Sequence, residues 1–220
     1  MILEVKDLVK KYKRGEKEFY AVDHVSFSLE EGSFTVIMGE SGCGKSTLFH
    51  LLTGMCRADG GTITFQEKDI TRIGAKELAK LRSTDIGYIL QGQNLLYNFN
   101  IGENICMPGY LGVMTPDMGA YAKWLLEEFG LGGMEKEMPG LLSGGEQRRV
   151  AIARTLVHRP KLIIADEPTS NLDSKNREII LDYLKKVSEK GVTVLISTHD
   201  REAGAYGDTI WHMEQGAISL

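Results

Sequence analysis

Short, nearly continuous apolar runs alternate along the chain with longer segments that carry an apolar stripe. "FTVIM" (34–38), "IGYIL" (86–90), "KLIIA" (161–165) and "VTVLI" (192–196) read as buried strands, and "GTITF" (61–65) as a further strand. Helices are predicted from about Lys45 to Gly54, over "KELAKLR", around "AYAKWLLEEFG", over 144–158 and over "SKNREIILDYLKKVSEK". In the last of these Ile180, Tyr183, Leu184 and Val187 share one face, as a helix lying on a sheet requires. Strands alternating with helices predict an α/β fold whose sheet is mainly parallel and doubly wound. Two regions depart from that pattern. The start (2–38) and the end, "TIWHMEQGAISL", read as antiparallel, and 91–142 is rich in Gly, Met and Pro with one clear helix.

Composition narrows the functional classes. At 220 residues with 42% apolar and 25% charged positions, the chain has the make-up of one ordinary globular domain with a substantial core. The net charge of −4 gives no footprint for nucleic acid, and "KKYKR" and "EQRRVAIAR" read as solvated basic faces. No stretch has the length to span a bilayer, and the amino terminus lacks a signal-peptide core, so any membrane association is expected to come through a partner. Cys43, Cys56 and Cys106 lack metal-ligand spacing and read as free thiols of a reducing cytoplasm.

The chemistry concentrates in a few short stretches. "GESGCGKST" (39–47) fits G-x-x-x-x-G-K-[ST] through Gly39, Gly44, Lys45 and Ser46, between a predicted strand and a predicted helix. Glycines let backbone N–H groups approach phosphates, Lys45 reaches the β/γ oxygens, and the Ser46 hydroxyl suits Mg²⁺. Position 43 asks only for a small residue. "LIIADE" (162–167) ends a buried strand in two carboxylates, at the sheet edge where open α/β folds bind ligands. Asp166 is placed to hold Mg²⁺ and Glu167 to act as base or positioner for an attacking water. His199, after "VTVLIST", reaches the same edge; catalytic and structural readings both stand for it. Gln91 at another strand end either touches Mg²⁺ or water, or does neither. Tyr12 is either a plate for a base or half-buried packing. The small residues Ser143, Gly144 and Gly145 open a helix whose positive end suits an anion.

In order, "GESGCGKST", Gln91, "LSGGEQRR", "LIIADEPTSNLD" and "THD" resemble the phosphate loop, Q-loop, signature, magnesium/base motif with D-loop, and switch histidine of ABC-type ATPases. The resemblance covers essentially the whole chain. "IGYILQGQNLLYNFNIGENI" and "ADEPTSNLD" are most similar to the bacterial branch serving lipoprotein release, macrolide export and peptide-antibiotic (bacitracin-type) resistance or sensing. Departures from that branch are Gly92, Tyr97, Thr155 and Ser170.

The resemblance implies a P-loop NTPase of one domain, 1–220. Residues 1–90 and 160–220 would form the β/P-loop core, with an antiparallel N-terminal part, and about 91–159 a small helical subdomain. It implies ATP and Mg²⁺ as cofactors. Tyr12 would stack on adenine, and Gly39 with Ser41, Gly42, Cys43, Gly44, Lys45, Ser46 and Thr47 would wrap the phosphates. Gln91 would join Ser46 and Asp166 at the metal. Glu167, His199 and Lys45 would serve catalysis, with His199 on the γ-phosphate. Ser143, Gly144, Gly145 and Asp173 would act across a dimer, covering the nucleotide of a second copy of the chain. The partners implied are that copy and a transmembrane permease, at the cytoplasmic face of the bacterial inner or plasma membrane. Two function classes remain open: an ATPase subunit driving transport, and a regulatory ATPase signalling through a membrane protein without transport. A DNA-repair ABC protein is disfavoured by the lack of a coiled-coil insertion and of a basic surface.

Overall fold

Ten strands and seven α-helices follow one another among the described residues, with β1 (Leu3–Arg14), β2 (Lys17–Leu29), β3 (Phe34–Met38) and α1 (Lys45–Leu52) first. Then come β4 (Gly60–Phe65), β5 (Lys68–Asp69), α2 (Ala75–Thr84), β6 (Ile86–Ile89), α3 (Ile101–Leu111), α4 (Met118–Glu128) and α5 (Gly144–Leu156). The last are β7 (Leu162–Asp166), α6 (Ser174–Ser188), β8 (Thr193–Thr198), α7 (Arg201–Gly204), β9 (Thr209–Glu214) and β10 (Ala217–Ser219). This is a computed structural model, and it describes residues 1–92, 95–112 and 114–219. Gln93 and Asn94, part of the segment quoted for the resemblance, lie outside the described residues.

The strands form two sheets, one ordered β10-β9-β3-β8-β7-β6 and the other β2-β1-β4-β5. In the first, β9, β3, β8, β7 and β6 run parallel and β10 turns back antiparallel to β9. The mainly parallel core and the antiparallel N-terminal part are therefore as the sequence predicts, with two corrections. β3 and β9, within the two stretches read as antiparallel, are parallel partners of each other. "GTITF" joins the antiparallel sheet instead of the parallel one. Short apolar runs identify strands but carry no direction, which the crossovers decide.

Period-two geometry separates the two faces of the parallel sheet. Val36, Ile163, Ala165, Val194 and Ile196 pack on the side of α3, α4, α5 and α6. Ile37, Leu162, Ile164 and Leu195 pack on the opposite side, with α1 and the antiparallel sheet. A strand buried on both faces must read as a continuous apolar run, and these do. α1 lies inside the second cluster; Leu48, Phe49, Leu51 and Leu52 are each at most 1% exposed. Burial of each contributes roughly 1.5–3 kcal/mol, so the helix that starts at Lys45 is held firmly.

The segment between β6 and β7 holds a helix that the sequence did not announce. α3 contains Gly102, Pro108 and Gly109, which are poor helix formers. Its start is secured by a capping box between Asn100 and Glu103, and Ile101 and Ile105 are fully buried. Tertiary packing overrides propensity here. Asn104, also fully buried, ties the preceding loop to the helix. Its Oδ1 accepts from the Leu96 N–H at 2.8 Å, and its Nδ2 donates to the carbonyls of Leu96, Phe99 and Asn100 at 2.9–3.0 Å.

Asn104→Ala removes four side-chain hydrogen bonds at once, while the Leu96 and Asn100 carbonyls keep the N–H groups of Phe99 and Asn104. It should lower stability by about 2–4 kcal/mol, read as a lower urea midpoint at unchanged m value. A loss below about 0.5 kcal/mol would mean that the loop holds itself.

Candidate functional site

Four parallel neighbours, β3, β8, β7 and β6, end at one sheet edge, and each is followed by a polar segment singled out from the sequence. After β3, the loop from Gly39 to Gly44 leads directly into α1. Gly44 caps that helix with φ 116°, and a Cβ there would stand 2.1 Å from the carbonyl oxygen of Ala21. A Cβ on Gly39 would stand 2.4 Å from the carbonyl oxygen of Met213. The loop is thus wedged between β2 and β9, and only glycine fits. The Gly216 N–H donates to the Cys43 carbonyl at 2.9 Å and fixes its outer side. Lys45 is 7% exposed, and its Nζ donates to the carbonyls of Gly39 and Glu40 at 2.7 and 2.9 Å.

One cavity of about 310 Å³ brings together Tyr12, Ser41, Gly42, Gly44, Lys45, Ser46, Thr47, Gln91, Asp166 and Glu167. Gly39 and Cys43 face the other side of the loop, toward His212 and Met213. A separate cavity of about 550 Å³ is lined by Ser143, Gly144, Gly145 and Asp173, and Gln91 is the residue common to both. His199 lines neither but meets Glu167, its Nδ1 lying 2.9 Å from Oε1.

Asp166 is 4% exposed at the end of β7, and its Oδ1 accepts from the Ser197 hydroxyl at 2.6 Å. The same hydroxyl oxygen accepts from the Glu167 N–H at 3.1 Å. Glu167 has φ 48°, a left-handed conformation costing a non-glycine residue roughly 1–2 kcal/mol. That turn swings its carboxylate toward His199 while Asp166 stays buried. Ser143 caps α5 in a capping box with Glu146, whose carboxylate is held below the usual range by the Ser143 hydroxyl and N–H. Asp173 caps α6 and is likewise held low, first by the Asn176 N–H and then by the Asn176 side chain.

Residues not singled out from the sequence also belong here. Phe19 stands opposite Tyr12 in the β1–β2 ladder, with ring centroids 6.1 Å apart, and lines the same cavity. Counting back from the turn at Gly15 would have paired them. Ser197 sits in a run of apolar strand residues and gave no signal of its own.

The protein-family model for the ABC transporter matches residues 22–170. The chain belongs to the ABC transporter family. It is an ABC ATPase, with the P-loop α/β fold of that family. It is 42% identical over 207 residues to the lipoprotein-releasing system ATP-binding protein LolD of Geobacter metallireducens, covering 93% of the chain and 92% of the relative. An uncharacterized ABC transporter ATP-binding protein of Thermotoga maritima is 40% identical, with 99% and 93% covered. The macrolide export ATP-binding/permease protein MacB of Aggregatibacter actinomycetemcomitans is 37% identical over 99% of this ABC ATPase, which spans about a third of MacB (34%). Among solved structures, a dimeric ATP-binding cassette in a post-hydrolysis state with ADP and Pi superposes with TM-score 0.92 at 34% identity. That match covers 100% of this chain and 97% of the other.

Ser197→Ala removes a hydrogen bond to a buried carboxylate. It should cost this ABC ATPase about 1.5–3 kcal/mol in urea unfolding. A change under about 0.5 kcal/mol would show that Asp166 finds another donor.

Proposed function

We propose that the chain hydrolyses ATP within a head-to-tail pair of cassettes and thereby drives a membrane permease of the lipoprotein, macrolide or antimicrobial-peptide export type. The observation that carries this reading is the separation of the two cavities within one chain. Each protomer presents a phosphate loop and, elsewhere, a helix start of small residues. Neither half is a complete nucleotide site. A twofold-related copy would bring Ser143, Gly144 and Gly145 over the phosphates held by its partner, with Asp173 at the shared seam. The dimeric cassettes among the solved relatives support that arrangement.

Within each site, Tyr12 stacks on adenine, and the N–H groups of the loop, with Ser41, Gly42, Cys43, Thr47 and the small Gly39 turn, cradle the phosphates. Lys45 exchanges its two loop carbonyls for phosphate oxygens, a stronger charge-assisted pairing. The donors Ser46, Asp166 and Gln91 fit Mg²⁺, which takes one or two carboxylates and completes its shell with water and phosphate oxygens. Bound there, it would neutralise phosphate charge. Glu167 orients and deprotonates the attacking water, and His199 holds that carboxylate at 2.9 Å and meets the γ-phosphate.

In this reading 1–220 is one ABC ATPase domain, with 1–90 and 160–220 as the phosphate-binding core and about 91–159 as the helical part that meets the permease. Exposed apolar side chains there support a protein-facing surface, among them Tyr97, Phe99, Tyr110 (61% exposed) and Leu111 (83% exposed). Among the described residues no helix is long and apolar enough to cross a membrane. The chain would therefore sit on the cytoplasmic face through its permease.

Glu167→Gln should keep ATP affinity while turnover falls about 10²–10⁴-fold, whereas Lys45→Ala should weaken binding itself. Near wild-type turnover in Glu167→Gln would remove the base assignment.

A mixing experiment tests the shared site. Lys45→Ala and Gly144→Asp should each be nearly inactive, the second because a carboxylate meets the phosphates. Mixed, they form heterodimers with one intact site, and part of the activity should return in proportion to heterodimer captured with two tags. Heterodimers that form with ATP yet stay inactive would count against the sandwich.

A further inference from the structure

Arg148, in the second turn of α5, is 4% exposed and directs its guanidinium at backbone carbonyls. Nε donates to the Pro168 carbonyl at 2.9 Å, and Nη2 to the Glu167 carbonyl at 3.4 Å. On the other side Nη1 donates to the carbonyls of Leu90, at 2.6 Å, and Gly92. These oxygens belong to two separate chain segments. Leu90 and Gly92 flank Gln91; Glu167 and Pro168 are the candidate base and its neighbour.

A buried guanidinium is retained against its desolvation cost only when its donors are well matched. Burial pulls this one down to about 10, with the charge of Asp166 acting in the opposite direction. The matching is specific to a planar fork, because opposite edges of one rigid group serve opposite segments. An ammonium keeps the charge but cannot hold both. The Glu167 peptide is accordingly fixed from two sides, its N–H by the Ser197 hydroxyl and carbonyl and its C=O by the Ser170 N–H at 3.2 Å together with Arg148. Glu167 has the unfavourable φ of 48°, so its backbone needs such restraint to keep the carboxylate aimed at His199.

We infer that Arg148 is a positioning residue for ATP hydrolysis: its guanidinium holds the segments around Gln91 and Glu167 in one rigid frame and so sets the angle of the base. The inference rests on the reading of Glu167 as base. It also gives the exposed stretch after β6 a direct mechanical line to that base. A shift of Leu90 or Gly92 moves the guanidinium, and the guanidinium carries the Glu167 peptide.

The test compares R148K, R148Q, E167Q and the double variants R148K/E167Q and R148Q/E167Q, measuring kcat, ATP KM, ATP dissociation constant and melting temperature. R148Q is carried because it removes the buried charge, so a fold that rejects a lone ammonium still accepts it. R148K and R148Q should lower kcat about 10–100-fold, as a displaced catalytic group does, while ATP affinity stays within about threefold. In the E167Q background the same changes should cost little more, because the group they position is already disabled. Wild-type kcat in both Arg148 variants would overturn the inference. So would an equal fold-loss with and without E167Q, which is the signature of a general structural defect and leaves the base assignment standing. E167Q with near wild-type turnover would instead remove the base assignment, and the inference with it.

Discussion

Parallel pairing sends the carboxyl ends of β3, β8, β7 and β6 to one edge of the sheet, and the phosphate loop, both carboxylates and Gln91 in the phosphate cavity depend on it. Phosphate loop, carboxylate pair, histidine and Q-loop glutamine are far apart in sequence. They meet because each follows its strand over the same edge. Both faces of those strands must then be covered, which is why the runs are so apolar and why Leu48, Phe49, Leu51 and Leu52 of α1 are buried. The apolar core thus fixes the origin of every polar segment to within the rigidity of close packing.

What happens beyond the strand ends is governed by polar groups instead. Asp166 is buried and satisfied by Ser197, while Glu167, one residue later, is turned outward by an unfavourable backbone angle. Two adjacent carboxylates therefore occupy different environments. One is fixed and aimed inward; the other faces the cavity beside a histidine. Placement of that second carboxylate rests on donors from β8 and α5 together. The first two turns of helix α5 accordingly have different tasks, a small-residue start facing the second cavity and a buried arginine inside the protein.

Legibility in the sequence followed the range of the interactions. The parallel strands, the phosphate loop and the helix start at Ser143 are written in neighbouring residues, where backbone geometry leaves few choices. Strand direction was misread for β3 and β9, and sheet membership for β4, because these depend on the path of the chain between strands. α3 was hidden by Gly102, Pro108 and Gly109, whose poor propensity is outweighed by burial of Ile101 and Ile105 and by Asn104. Phe19 and Ser197 gave no local sign, and Arg148, read within "EQRRVAIAR" as part of a solvated basic face, is buried. Each gains its place from a partner that is remote or across a ladder, and a basic run does not say which of its arginines turns inward.

The phosphate loop leans on main-chain atoms: the carbonyls of Ala21 and Met213 and the N–H of Gly216. Such a support is sensitive above all to where the backbone runs. Inserting or deleting a single residue between β9 and β10 would therefore displace a wall of the loop some 170 positions upstream. The final hairpin is in this sense part of the nucleotide-binding apparatus by its path.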